Sequence, residues 1–277
     1  MSITSNFGIM QGRLSPKIER KIQAFPAEHW IKEFKIAQSI GFKSIEWIVE
    51  EPLEFNPLLT SKGVIQIQEQ IEDTKVKVEF ICADYFMKYP ILDSKNSLDE
   101  SKETLTNIIL AGDKIGAKCV EIPFVDNSSV RNKDFKYLVD FFNSFQEILQ
   151  KTNMYINLET DLEPIQFKQL LEELNFRVGA NYDIGNSASL GYNYIEELDC
   201  YGGRINNVHI KDRIYGGNSV QFGLGDADIF STLHVLSDLN YQGGLIIQGA
   251  RGDNDIETAE AQFEYVNKIL KAINNDQ

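Results

Sequence analysis

The chain has 277 residues, 43% of them hydrophobic and 11% aromatic, enough for one large core and close to the usual length of a single eight-fold α/β barrel. Its formal charge of -14, from 41 Asp and Glu against 27 Lys and Arg, excludes an extended phosphate-binding face, so nucleic acid is not an expected partner. No apolar stretch approaches the roughly 18 residues of a membrane helix, and MSITSNFGIMQGR lacks a basic segment followed by an apolar one, which predicts a soluble, cytoplasmic chain with no membrane partner.

In chain order, FGIMQGRL (7 to 14) reads as the first strand. A helix over 26 to 40 follows, with Trp30, Phe34 and Ala37 at helical spacing, Pro26 suited to its opening turn and Gly41 to its stop. SIEWIV (44 to 49) is the second strand and 63 to 74 a shorter helix; KVEFICADY (77 to 85) is the third strand, with a helix near 97 to 115. CVEIPFV (119 to 125), a helix over 132 to 151, YINLET (155 to 160) and a helix over 162 to 175 continue the alternation. GANYDIGN (179 to 186), an irregular helix near 190 to 201, INNVHIKD (205 to 212), a helix over 226 to 239, GLIIQGA (244 to 250) and a helix over 255 to 273 complete it. Strict alternation means parallel strands with helical crossovers, and eight such units close into a (β/α)8 TIM barrel that takes up residues 1 to 277 as one domain. An open doubly wound sheet would carry a glycine-rich turn after its first strand, whereas the turn here is Gln11-Gly12-Arg13-Leu14-Ser15-Pro16. Cys82, Cys119 and Cys200 are widely spaced and read as thiols rather than a disulfide or a zinc knuckle.

Four polar residues end four consecutive strand candidates: Glu159, Asp183, His209 and Gln248. A strand buried on both faces should be almost wholly apolar, so a lone charged group at its C-terminal end points to a site. Alternation puts Asn157 with Glu159, Asn181 with Asp183, and Asn207 with His209 and Lys211, all toward the barrel mouth. Each also has a bland reading: Glu159 as a cap, Asp183 as a turn former with Gly185 and Asn186, His209 as a satisfied core histidine. Together they form a mixed O/N set without thiolate, which suits one catalytic divalent ion (Mn²⁺, Mg²⁺, Co²⁺ or Zn²⁺). His29 and His234 fall in helices and read as surface or packing residues.

With the strand pattern, the Glu159, Asp183 and His209 series, HIKDR (209 to 213) and GLGDADIF (223 to 230), the chain resembles the xylose isomerase-like sugar phosphate isomerase/epimerase superfamily. GIMQGRLSP, IEWIVE (45 to 50), CADYFM (82 to 87) and IIQGARG (246 to 252) resemble one subgroup of it. The resemblance implies an ion held by residues of strands five to eight, here Glu159, Asp183, His209 and Gln248, where relatives place a second Glu at the last position. It further implies a metal-stabilised enediolate with Glu159 as base. Gln cannot take a proton, so one-face aldose-ketose isomerisation fits Glu159 alone, and epimerisation needs a substitute from Glu46, Asp84, Glu121 or Lys211. Glu46 and Glu121 could equally pair with Arg13 or Lys211.

The loop Gly223 to Asp226 offers amides at a helix start, a common phosphate position in barrels, with Arg213 and Arg251 beside it and Arg13 ending strand one. The bland reading is a turn with an Asp cap. Candidate substrate contacts are therefore Arg13, Glu46, Asp84, Arg213, Gly223, Gly225 and Arg251; candidate catalytic groups are Glu159, Lys211 and Glu121. The expected partner is a small sugar or sugar phosphate. Trp47, Tyr85, Phe86, Met87 and Tyr89 could stack on its ring or serve a homo-oligomer contact. Alternatives are a metal-dependent lyase or dehydratase acting on a polyhydroxylated ring, and a non-catalytic sugar-binding protein with a degenerate site. A DNA-repair endonuclease of the same barrel would carry a histidine-rich multi-zinc cluster, which the single mouth histidine and the negative charge exclude.

Overall fold

The computed structural model describes residues 3, 6 to 19, 21 to 93 and 95 to 275. Eight parallel strands, β1 (Gly8–Met10), β2 (Ser44–Ile48), β3 (Phe80–Cys82), β4 (Cys119–Phe124), β5 (Tyr155–Thr160), β6 (Val178–Asp183), β7 (Ile205–Ile210) and β8 (Gly244–Ile247), pair in sequence order and close on themselves. The expected (β/α)8 barrel is the fold. Its outer layer is α1 (Trp30–Ile40), α2 (Ser61–Thr74), α3 (Tyr85–Lys88), α4 (Leu98–Ile115), α5 (Lys136–Asn143), α6 (Gln146–Lys151), α7 (Pro164–Glu173), α8 (Ile184–Leu190), α9 (Tyr194–Tyr201), α10 (Ile229–Asp238) and α11 (Asp255–Asn275). None of these helices is long and apolar enough to cross a membrane.

The predicted runs differ from the elements chiefly at their ends. β1 stops at Met10 and β8 at Ile247, because the apolar runs continue into loops that turn over the barrel mouth. The 132 to 151 helix is two, α5 and α6, broken at Ser144–Phe145. The irregular segment near 190 to 201 resolves into α8, starting directly from the end of β6, and α9. Pro26 lies ahead of α1, where its carbonyl accepts from the His29 and Trp30 amides.

Strand alternation sorts the side chains. On β2, Trp47 faces outward onto Trp30 of α1, with its Nε1 donating to Asn56, so Glu46 must face inward. Trp47 is fully buried in this outer packing and Phe86, on α3 against Tyr85, is fully buried as well, which corrects their assignment as sugar-stacking candidates. The three cysteines are free thiols, and His234 lies on α10 beside Asp238.

The β1–α1 connection is held from below by Glu33 of α1. This buried carboxylate accepts from Gly12 N (3.1 Å), Leu14 N (3.1 Å) and Ser15 Oγ (2.8 Å). Gly12 turns there at φ 81°, and a Cβ would meet Ala24 O at 2.7 Å. Burial pushes the Glu33 carboxyl up to about 7, against the pull of those hydrogen bonds. The folded protein therefore holds this proton more tightly than the unfolded chain. Its stabilising contribution is complete below the unfolded value of 4.5 and is lost as pH rises to about 7. Denaturant titrations of wild type and Glu33→Gln across that range should give a stability difference that moves against the wild type as pH rises. A pH-independent difference would contradict the assignment.

Candidate metal centre and active site

Parallel register brings the polar strand ends into one interior. Asp183 pairs directly with His209, and Glu121 with Asn157. His209, fully buried, stands at the centre. Its Nε2 lies 2.7 Å from Glu46 Oε2 and 3.3 Å from Glu121 Oε2. Its Nδ1 lies 3.1 Å from Asn181 Nδ2, 3.4 Å from Glu159 Oε2 and 4.0 Å from Asp183 Oδ2.

The ring thus separates two carboxylate pairs. With Nε2 on Glu46, the Nδ1 edge faces Glu159 and Asp183, and a divalent ion there would take the place of the proton that the ring holds without it. Glu159, Asp183 and His209 bring one donor atom each within 4.8 Å of one another, a compact O, O, N set that fits a divalent ion. Glu46, Glu121 and His209 form a second group of that size, but Glu46 is fully buried beneath the ring and is not open to substrate. Glu46 is therefore corrected from a substrate contact to a partner of His209 and Asn207.

Electrostatics follow from the crowding. Burial pulls His209 down, yet Glu46 and Glu121 outweigh it and hold the imidazole well above its ordinary value. Burial pushes Glu121 well above the carboxylate range, with Glu159 and Glu46 adding to the effect against His209. Burial also penalises ionised Glu159, but hydrogen bonds and charge from His209, with help from Glu121 and Lys211, bring it down to about 2. Two neighbouring carboxyls are thus split into a neutral acid, Glu121, and an ionised base, Glu159. Asn181 Nδ2 (3.0 Å) and Asn186 Nδ2 (2.5 Å) each donate to one oxygen of Glu159 and fix its orientation.

Above the centre lies a cavity of about 470 Å³, lined by Glu121, Glu159, Lys211, Arg213, Gln248 and Asp84 among others. The Lys211 ammonium donates to Asp183 Oδ2 (3.0 Å), Gln248 Oε1 (2.9 Å) and Asn186 Oδ1 (3.4 Å). Gln248 therefore reaches the mouth as expected, with its amide oxygen on Lys211 and its amide nitrogen on Gln23 (3.0 Å). Arg213, which lines the cavity, is held by neutral acceptors, Asn186 Oδ1 (2.6 Å) and Gly217 O (2.8 Å), and has no carboxylate partner among the described residues. Burial raises the Asp84 carboxyl, partly offset by the Gln23 hydrogen bond.

Four expected contacts are corrected. The amides of Gly223 and Gly225 are not open to an anion: with Ala227 N they donate to Asp212 at 2.8, 3.0 and 3.2 Å, so a carboxylate of the chain fills that nest. The following helix begins at Ile229, with its own cap from Asp228. Arg13 is buried and donates to Gly249 O, Ile22 O and, at 3.5 Å, Gln23 Oε1, with burial lowering it to about 10. Arg251 pairs with Asp255 and donates to Ser15 O. Both arginines brace the first and last loops against each other outside the cavity. Nor does either pair with Glu46 or Glu121, whose partner is His209. Sequence reasoning missed Gln23, which lies in a loop without period, and Asp212, hidden in a charged run.

Residues 34–269 match a family described as xylose isomerase-like TIM barrel. An L-ribulose-5-phosphate 3-epimerase, UlaE, of Shigella flexneri serotype 5b is 22% identical over 244 residues, covering 82% of this chain and 84% of that protein. A xylose isomerase domain protein from Planctomyces limnophilus superposes with TM-score 0.78 at 16% identity, over 97% of this chain and 98% of the other. A xylose isomerase-like TIM barrel protein from Mycobacterium smegmatis, solved in complex with magnesium, gives TM-score 0.72 at 15% identity over 99% of each chain.

The imidazole is the counter-charge for the buried carboxylates, so its removal should be costly. His209→Leu is expected to destabilise the protein by about 3–5 kcal/mol, as for a buried ion pair that loses one partner. Guanidinium unfolding measures it, and a loss below about 1 kcal/mol would contradict the charge-balance reading.

Proposed function

The chain belongs to the xylose isomerase-like TIM-barrel family, and on that premise we propose that it is a divalent-metal-dependent isomerase or epimerase of a sugar or sugar derivative, with Glu159 as the base. The observation that carries the reading is the grouping of Glu159, Asp183 and His209 Nδ1 within 4.8 Å of one another, with Glu121 beside the same imidazole, at the floor of a cavity. The epimerase activity in the name of the Shigella relative supports it.

Glu159, Asp183 and His209 would hold the ion. A divalent ion supplies Lewis-acid stabilisation of the negative charge that develops on sugar oxygens when a neighbouring C–H is lost. Glu159 takes that proton. Its oxygens are aimed by Asn181 and Asn186, so little reorganisation accompanies the transfer. One carboxylate can carry a proton between neighbouring carbons on one face, which suits an aldose-ketose isomerisation. Glu121, 3.3 Å from His209 Nε2 and pushed by burial toward its protonated form, is an acid close by. Lys211 is a second donor, from β7's end of the cavity, for inversion at a carbon. Arg213 and Asp84 are placed to bind substrate oxygens; Arg213, without a carboxylate partner, would also receive an anionic substituent.

The test is solvent exchange. Protein loaded with Mn²⁺ and incubated in D₂O with a panel of sugars and sugar phosphates is expected to place deuterium at a carbon next to the carbonyl, followed by NMR. Glu159→Gln should slow this by at least about 10²-fold while the fold is kept. Exchange undiminished in that variant would move the base elsewhere.

A further inference from the structure

Gln248 makes two hydrogen bonds that only an amide can make together. Its Oε1 accepts from Lys211 Nζ at 2.9 Å, and its Nε2 donates to Gln23 Oε1 at 3.0 Å. Gln23 then donates its own Nε2 to Asp84 Oδ2 at 2.7 Å. The order of donors is fixed by the ends. An ammonium can only donate, so Gln248 must turn its oxygen to Lys211; Gln23 must then turn its oxygen to Gln248 and its nitrogen to the Asp84 carboxylate. The chain of contacts runs one way, from Lys211 on the β7 side to Asp84 beyond β3, through two amides.

Gln23 belongs to the connection between β1 and α1, and its neighbours are pinned as well. Ile22 O accepts from Arg13 Nη1 at 2.7 Å, and Phe25 N donates to Glu50 Oε1 at 2.6 Å. The Gln23 side chain joins Gln248, just past β8, to Asp84, just past β3. Gln248 is mostly buried, so its polar atoms need partners, and both have one.

We infer that Gln248 is a positioning residue rather than an ion ligand: with Gln23 it forms a directed hydrogen-bond relay from Lys211 to Asp84 that fastens the β1–α1 connection over the cavity and holds the Lys211 amine against the centre. A carboxylate at 248 could not serve. It has no proton to give Gln23 Oε1, and turning the Gln23 amide round would set that oxygen against Asp84, acceptor against acceptor. The inference relies on the proposed function only in treating this cavity as the substrate site.

The relay makes a reversal experiment possible. Gln248→Glu should speed backbone hydrogen exchange of residues 21 to 27, read by mass spectrometry on the full-length protein, by about tenfold, the effect of one lost buried hydrogen bond beside a charge. Adding Asp84→Asn lets the Gln23 amide turn round, donating to the new carboxylate and accepting from the new amide, and giving up only the long 3.5 Å contact of its oxygen with Arg13 Nη2. Exchange in Gln248→Glu/Asp84→Asn should return to within about twofold of wild type. Unchanged exchange in the single variant, or no recovery in the double, would overturn the relay. If Gln248→Glu does not fold, Gln248→Met removes both hydrogen bonds without adding charge and should loosen the same residues about tenfold; failure to do so also overturns it. Mn²⁺ titration by calorimetry separates positioning from ligation. Gln248→Met should keep the Mn²⁺ affinity within about threefold, and a loss beyond about tenfold would make residue 248 a ligand. None of these readouts requires sugar turnover, so they stand or fall apart from the solvent-exchange test.

Discussion

A single imidazole buried among carboxylates is the constraint on which the site depends. Glu46, Glu121, Glu159 and Asp183 all come within 4.0 Å of His209. In a low-dielectric interior so many formal negative charges repel strongly, and the chain answers in two ways. One carboxyl, Glu121, is pushed toward its protonated form; His209 is pushed toward its charged form, and Lys211 at the rim pairs with Asp183. The same compensation that lets the barrel fold also prepares the centre. It leaves one carboxylate ionised beside one neutral acid, and presents the Nδ1 edge of the ring to Glu159 and Asp183. Stability and chemistry here are therefore two readings of one charge distribution.

The loops around the mouth are organised by the same rule of satisfying buried polar groups. Asp212 gathers the amides of the loop after β7, so that segment is self-contained and does not wait for an anion. Arg13 and Arg251 tie the first and last loops together through backbone carbonyls. Glu33 holds the first loop from beneath, and Gln23 carries it across the opening to Asp84 and Gln248. Arg213, held by Asn186 and Gly217, keeps its charge toward the cavity. A cationic group fixed by neutral acceptors is pre-oriented, and binding to it costs little ordering.

Strand order, the parallel barrel and the clustering of Glu159, Asp183 and His209 were legible because they rest on period: apolar runs at regular intervals, each ended by one polar residue at the same height. Helix ends and the α5/α6 break were not, since tertiary packing sets them within a continuous apolar pattern. Depth was also hidden. Glu46 and Glu121 occupy inward positions like Glu159, and only the closed barrel shows that Glu46 lies beneath the imidazole while Glu121 reaches the cavity. The glycine loop misled for a related reason. Free amides can be read from a sequence, but whether a carboxylate from another turn takes them depends on long-range placement. Gln248 was conspicuous as the uncharged member of its series, and its reason, a hydrogen-bond partner 225 residues earlier, has no local signature.

The central claim is that Glu159, Asp183 and the Nδ1 edge of His209 form one ion-binding corner at the cavity floor. Anomalous diffraction from crystals grown with Mn²⁺ addresses it directly. The account predicts one strong anomalous peak bonded to Glu159, Asp183 and His209 Nδ1, with Gln248 still on Gln23 and Lys211. A peak elsewhere, or none at that corner at saturating Mn²⁺, would contradict it.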